Sequence, residues 1–97
     1  MDLYVIRRRN AWATAEDLEA AAVRSTAEGD KEGSGVRWIR SYVVLEDDGQ
    51  LGTVCIYQAE SPEAIRAHAT AAGMPADEIT RVADTVIVRD DPVPLAA

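Results

Sequence analysis

The chain has 97 residues, 47% hydrophobic and 28% charged, with 10 Lys and Arg against 17 Asp and Glu for a formal net charge of -7. That length and balance fit one globular domain and exclude a disordered chain, and the acidic excess argues against nucleic acid or an anionic membrane as a partner. No apolar run reaches the roughly 18 residues of a membrane span, Met1-Asp2 opens no secretory signal, and a single cysteine, Cys55, rules out an intrachain disulfide framework. The expectation is a cytoplasmic protein in a reducing compartment.

Leu3, Tyr4, Val5 and Ile6 run into Arg7, Arg8 and Arg9, apolar on both faces, and predict a first strand over 2–9. Alternation sends Arg8 to the face opposite Arg7 and Arg9, and ion pairing with this acidic chain is the default reading of all three. Thr14 with Asp17 three residues on makes a weakened capping box. It opens a helix that carries Leu18, Ala21, Ala22 and Ser25 on one narrow face and ends near Glu28, before Gly29. Three glycines make 29–35 a loop. The longest strand follows over 36–46, with Val36, Trp38, Arg40, Tyr42 and Val44 on one face and Arg37, Ile39, Ser41, Val43 and Leu45 on the other. A turn through Asp48-Gly49 leads to a returning strand over 51–58, with Thr53, Cys55 and Tyr57 opposed to Val54, Ile56 and Gln58.

Ser61-Pro62-Glu63 starts the second helix, which presents Ile65, His68, Ala69 and Ala72 at spacings of three and four and stops at Gly73. Asp77 to Ile79 reads as a connection and 80–89 as the last strand, with Val82, Val86, Ile87 and Val88. The domain is bounded at 1–89, and 90–97 is an extended tail.

The order β-α-β-β-α-β predicts an α+β, ferredoxin-like fold, a four-stranded antiparallel sheet with two helices on one face. The uncovered face then carries Trp38, Tyr42, Val44 and Tyr57. A monomer avoids so large an apolar patch, so the expectation is a homodimer through the open sheet face, a dimeric α/β barrel.

Phosphate loops and closed zinc sites are absent from the pattern. His68, the only histidine, reads as a hydrogen-bonded residue at a helix–sheet boundary, or as a metal ligand or general base. Cys55 reads as a buried structural cysteine or a soft metal ligand. Glu46, Asp47 and Asp48 read as a solvated turn, or as oxygen ligands once two copies meet. Arg40, beside Trp38 and Tyr42, reads as a buried interface charge needing a carboxylate or as an anion-binding group in a pocket.

The segments Gly35-Val36-Arg37-Trp38-Ile39-Arg40-Ser41-Tyr42-Val43, Cys55-Ile56-Tyr57-Gln58-Ala59, Pro62-Glu63-Ala64-Ile65-Arg66-Ala67-His68-Ala69 and Ala72-Gly73-Met74-Pro75-Ala76-Asp77-Glu78-Ile79 together carry a resemblance. The chain resembles, over roughly 3–82, a family of small bacterial domains first catalogued as a domain of unknown function, which includes a dimeric, ferredoxin-like nickel-binding protein. The resemblance implies nickel, and His68 and Cys55 fall at recurring positions of its motif. The chain departs from the family at Asn10-Ala11-Trp12-Ala13, where members carry a Pro-Gly-like turn, at Val54, and in a longer hairpin loop.

Two functions follow. One is a metal-binding protein, nickel leading, in sequestration or buffering rather than catalysis, with His68, Cys55 and Glu46 as candidate ligands. The other is a dimeric α/β-barrel enzyme or binder of a small apolar molecule, monooxygenase- or cyclase-like. Trp38, Tyr42 and Tyr57 would line its pocket, and His68 or Arg40 would act on the ligand; fold analogy alone carries that reading.

Overall fold

The structure, a computed structural model, describes residues 1–93. Local chemistry sets most of its element ends. Thr14 Oγ1 accepts from the Asp17 amide at 3.2 Å and Ser61 Oγ from the Ala64 amide at 3.1 Å, each satisfying a helix-terminal donor. Gly73 closes the second helix in the left-handed region at φ 68°, which glycine enters without a Cβ clash. The elements are β1 (Asp2–Trp12), α1 (Ala15–Gly29), β2 (Val36–Leu45), β3 (Leu51–Ala59), α2 (Pro62–Ala72) and β4 (Glu78–Arg81). The strands pair antiparallel in the order β2-β3-β1-β4, which is the ferredoxin-like sheet. Tyr4, Ile6, Val36, Cys55, Tyr57, Ala59 and Ile65 form the core between sheet and helices. No helix among the described residues is long and apolar enough to cross a membrane.

Three features depart from the sequence expectation. The first strand runs past residue 9 to Trp12, which pairs with Leu51 after a break in register. Asn10 absorbs the break at φ 52°, a conformation asparagine tolerates better than most residues. The irregularity leaves Trp12 in the inward phase of Tyr4, Ile6 and Arg8, and it is buried.

A second bulge lies at Ile39. Trp38 stands opposite Tyr57, but the next paired residue, Ile56, faces Arg40. One extra residue reverses the side-chain phase of a strand. Val36 and Trp38 therefore face the helices, whereas Arg40 and Tyr42 turn to the open face and Ser41 turns in. The expected single face of Trp38, Arg40, Tyr42 and Val44 is overturned. Tyr57 is not on the open face either; it is a fully buried core residue.

The third departure is the last strand. β4 begins at Glu78, inside the expected connection, and ends at Arg81, not at residue 89. Tyr4 pairs with Arg81, and the Val82 amide donates to Leu3 O at 2.9 Å. β1 then has only its first two residues left, so a longer ladder has no partner. Residues 84–91 instead cross the open face and enclose a groove of about 800 Å³ against Leu3, Val5 and Ile56. Asp91 anchors the crossing: it accepts from Tyr42 Oη at 2.7 Å and Arg40 Nη1 at 2.9 Å. Those two donors hold its carboxyl below the usual range. Val86, Ile87 and Val88 border this groove and remain largely exposed. Of the tail, 94–97 lies outside the described residues.

Candidate functional site

The polar groups of the interior gather where α1, α2 and β3 meet. α2 turns Ile65, His68, Ala69 and Ala72 inward, as their helical spacing requires. α1 turns Ala21 and Ser25 inward, and β3 presents Thr53, Cys55 and Tyr57 by strict alternation.

Two clusters result. In the first, Ser25 Oγ lies 3.0 Å from Tyr57 Oη and 3.1 Å from His68 Nε2. All three residues are buried, and the Tyr57 and His68 rings are 5.7 Å apart. The far ring nitrogen, His68 Nδ1, is buried with no hydrogen-bond partner among the described residues. Burial lowers the His68 pKa from its ordinary 6.5; the positive charge of Arg8 adds to this, and Glu28 opposes it. The ring is therefore neutral at pH 7. Burial likewise raises the Tyr57 hydroxyl, which stays protonated.

The second cluster centres on Arg8. Tyr4, Ile6 and Arg8 share the inward phase of β1, and Arg8 is 1% exposed. Its Nε donates to Pro75 O at 2.6 Å and its Nη1 to Cys55 Sγ at 3.3 Å. Cys55 Sγ also accepts from Ser41 Oγ at 2.9 Å, and Ser41 Oγ in turn accepts from Trp38 Nε1 at 2.7 Å. Trp38 stacks on Tyr57 with ring centroids 6.1 Å apart, linking the two clusters. Arg8 Nη2 and Thr53 Oγ1 are buried and unpaired among the described residues. Both residues border a cavity of about 220 Å³ between α1 and the sheet, whose wall is almost wholly apolar.

The expected site residues are thus distributed. His68 and Tyr57 come together through Ser25, and Trp38 joins them. Cys55 shares their side of the sheet but is held by Arg8 and Ser41. Glu46 sits apart at the hairpin end, where its carboxylate accepts from Arg7 Nη2 at 2.7 Å and the Asn10 amide at 2.9 Å. The Arg7 hydrogen bond, more than any other contact, holds the Glu46 carboxyl below its usual range. Arg40 and Tyr42 lie on the other side of the sheet, and the carboxylate partner expected for Arg40 is Asp91, in an exposed pair. Among the described residues no group of three or more His, Cys, Asp or Glu is placed to hold a metal ion.

Arg8 and Ser25 are the residues the sequence reading undervalued. Ion pairing does hold for Arg7 with Glu46 and Arg9 with Glu78, but no pair forms at Arg8 among the described residues. The available signals were an arginine in phase with Tyr4 and Ile6, and a serine on an alanine face.

No curated protein matches the chain in sequence. Among solved structures, the crystal structure of SCO4226 from Streptomyces coelicolor A3(2) superposes with a TM-score of 0.68 at 23% identity, covering 87% of this chain and 99% of that one. At that identity the likeness concerns the fold, and the fold is the one described above. Residues 4–82, which take in the two clusters and nearly all of the six elements that build them, match the family described as nickel responsive protein SCO4226-like, and the chain belongs to that family.

Proposed function

We propose that this protein binds nickel and serves in its sequestration or buffering, with His68 Nδ1 as the nitrogen ligand. The observation that carries the reading is that buried nitrogen without a hydrogen-bond partner among the described residues, in a member of a nickel responsive family. A metal takes the neutral imidazole, the form that burial favours here. With its proton on Nε2 the ring donates to Ser25 Oγ, whose hydroxyl donates on to Tyr57 Oη. That direction leaves Nδ1 with a bare lone pair, and it supplies the outer hydrogen bond that ligating histidines use to fix their tautomer. Imidazole is a suitable donor for nickel.

Among the described residues His68 belongs to no group of three or more His, Cys, Asp or Glu. A ligand set short of three such groups suits an exchangeable ion, which is the behaviour of a buffer. Cys55 and Glu46 remain the other expected ligands; each would first release the arginine it now holds. The protein also dimerises, in this reading, through the open sheet face, where Tyr42 is 45% exposed and Val86 to Val88 lie bare beside it.

The test is calorimetric nickel titration of metal-stripped protein at neutral pH, with His68→Ala, Cys55→Ser and Glu46→Gln beside it. Saturable binding lost in His68→Ala is the expected result. An unchanged affinity in that variant overturns the assignment. The cavity beside Arg8 favours a second reading, binding of a small apolar molecule.

A further inference from the structure

We infer that segment 84–91 builds the contact between two copies: Val86-Ile87-Val88 of a second copy seats in the groove that the same stretch borders here, and the reverse contact forms with it. This rests on the dimer reading above and names the element that makes the interface.

The strand ladder sets the floor of the groove. Residues directly opposite in neighbouring strands share a face. Arg37, Gln58 and Leu3 therefore form one row on the open side, and Arg40, Ile56 and Val5 form the next. Segment 84–91 crosses these rows without joining them. The Val82 amide is the last to bond a strand, at Leu3 O, and beyond it no backbone group does so among the described residues. Asp91 is the far anchor, on Tyr42 and Arg40. Held at its two ends, the segment leaves the groove of about 800 Å³ unfilled, with Val86 85%, Ile87 70% and Val88 77% exposed.

An apolar stretch and an apolar groove side by side on one face complement each other across a twofold axis, the arrangement of an isologous dimer. A cavity of about 150 Å³ takes benzene, so this groove has room for several aliphatic side chains. Charge favours the same partner. At net charge -7 the copies repel each other, but here the signs are opposite. The segment carries Asp84, Asp90 and Asp91 against Arg89, whereas the β2 side of the two rows carries Arg37 and Arg40. Arg40 takes Asp91, but Asp84, Asp90 and Arg37 have no ion pair among the described residues. A second copy offers two acids to that side and an arginine to these acids. A small apolar molecule would fill the groove and leave those charges unmet. The segment follows residues 4–82, so the contact lies outside what matches the family.

The test is sedimentation of the full chain and of Asp91→Ala over a concentration series, with isotope-filtered NOE spectroscopy on an equal mixture of labelled and unlabelled copies. Asp91 is exposed, so its loss spares the core. Methyl NOEs from Val86, Ile87 or Val88 of one copy to Leu3, Val5 or Ile56 of the other are expected. Asp91→Ala weakens the dimer severalfold or more, because association must then order a freed segment. A dimer whose NOEs from this stretch stay within one copy overturns the contact, as does an affinity unchanged in Asp91→Ala; either result leaves the dimer reading standing. A tighter dimer in Asp91→Ala makes the segment a cover over the face and overturns the contact likewise. A parent chain that is monomeric at every concentration overturns both.

Discussion

Replacing Ser25 by alanine tests the interior hydrogen-bond chain on which the reading of His68 depends. Ser25 is 3% exposed and serves two buried groups at once, Tyr57 Oη and His68 Nε2. Alanine strands both. A buried polar group left without a partner costs about 1–3 kcal/mol. Alanine is the better helix former and returns about 0.5 kcal/mol in α1. The expected net loss is about 1.5–5.5 kcal/mol, a large share of the roughly 5–15 kcal/mol that holds such a domain together. Urea unfolding at pH 7.5 reads it as a lower midpoint with an unchanged slope. A thermal scan shows a drop of about 6 °C or more, since each kcal/mol moves a domain of this size by about 4–8 °C. Tyr57→Phe removes one end of the same chain, so the double variant should lose less than the sum of the single losses. A Ser25→Ala loss below about 0.5 kcal/mol, or strict additivity with Tyr57→Phe, refutes the shared network.

Three further outcomes are expected. Burial places the folded His68 pKa below its ordinary 6.5, so at mildly acid pH the unfolded chain binds the extra proton; stability is full above pH 6.5 and declines as pH falls towards the folded value. His68 is the only histidine, so unfolding measured from pH 7 to 5 should show that slope and His68→Gln should flatten it. Gly52→Ala puts a Cβ 2.5 Å from Arg8 O and 2.8 Å from Glu46 Oε2; overpacking against backbone costs about 1–3 kcal/mol or more, seen as a lower urea midpoint, whereas an unchanged midpoint would contradict the close strand approach. Sedimentation should find a dimer that Ile87→Asp, a charge on the exposed apolar segment crossing the open face, dissociates; a monomeric parent protein removes the dimer from the reading.

The candidate site was half legible before the structure. His68 could be placed on the sheet-facing side of α2 by counting turns, and Cys55 and Tyr57 could be put on one face of β3 by alternation. Their partners could not be read the same way. Ser25 meets Tyr57 and His68 only because α1 and α2 lie side by side on the sheet, contacts made across 32 and 43 residues of chain. Arg8 sat among three arginines in an acidic protein, and ion pairing described its neighbours Arg7 and Arg9 correctly. Its own partners, Pro75 O and Cys55 Sγ, come from a loop and a strand far along the chain.

The order of elements, both helix starts, the glycine stop of α2 and the antiparallel hairpin are local properties. Each rests on hydrogen bonds and torsions within a few residues, and the sequence by itself determined them. The ends of β1 and β4 and the facing of β2 are not local. Alternation holds only while the register holds, and each bulge depends on which residue of the neighbouring strand offers its hydrogen bonds. One extra residue at Ile39 sends Arg40 and Tyr42 to Asp91 and leaves Trp38 with Tyr57. β4 stops where β1 runs out of partners. Tertiary pairing therefore decided which side chains share a face, and with it the position of every polar group in the interior.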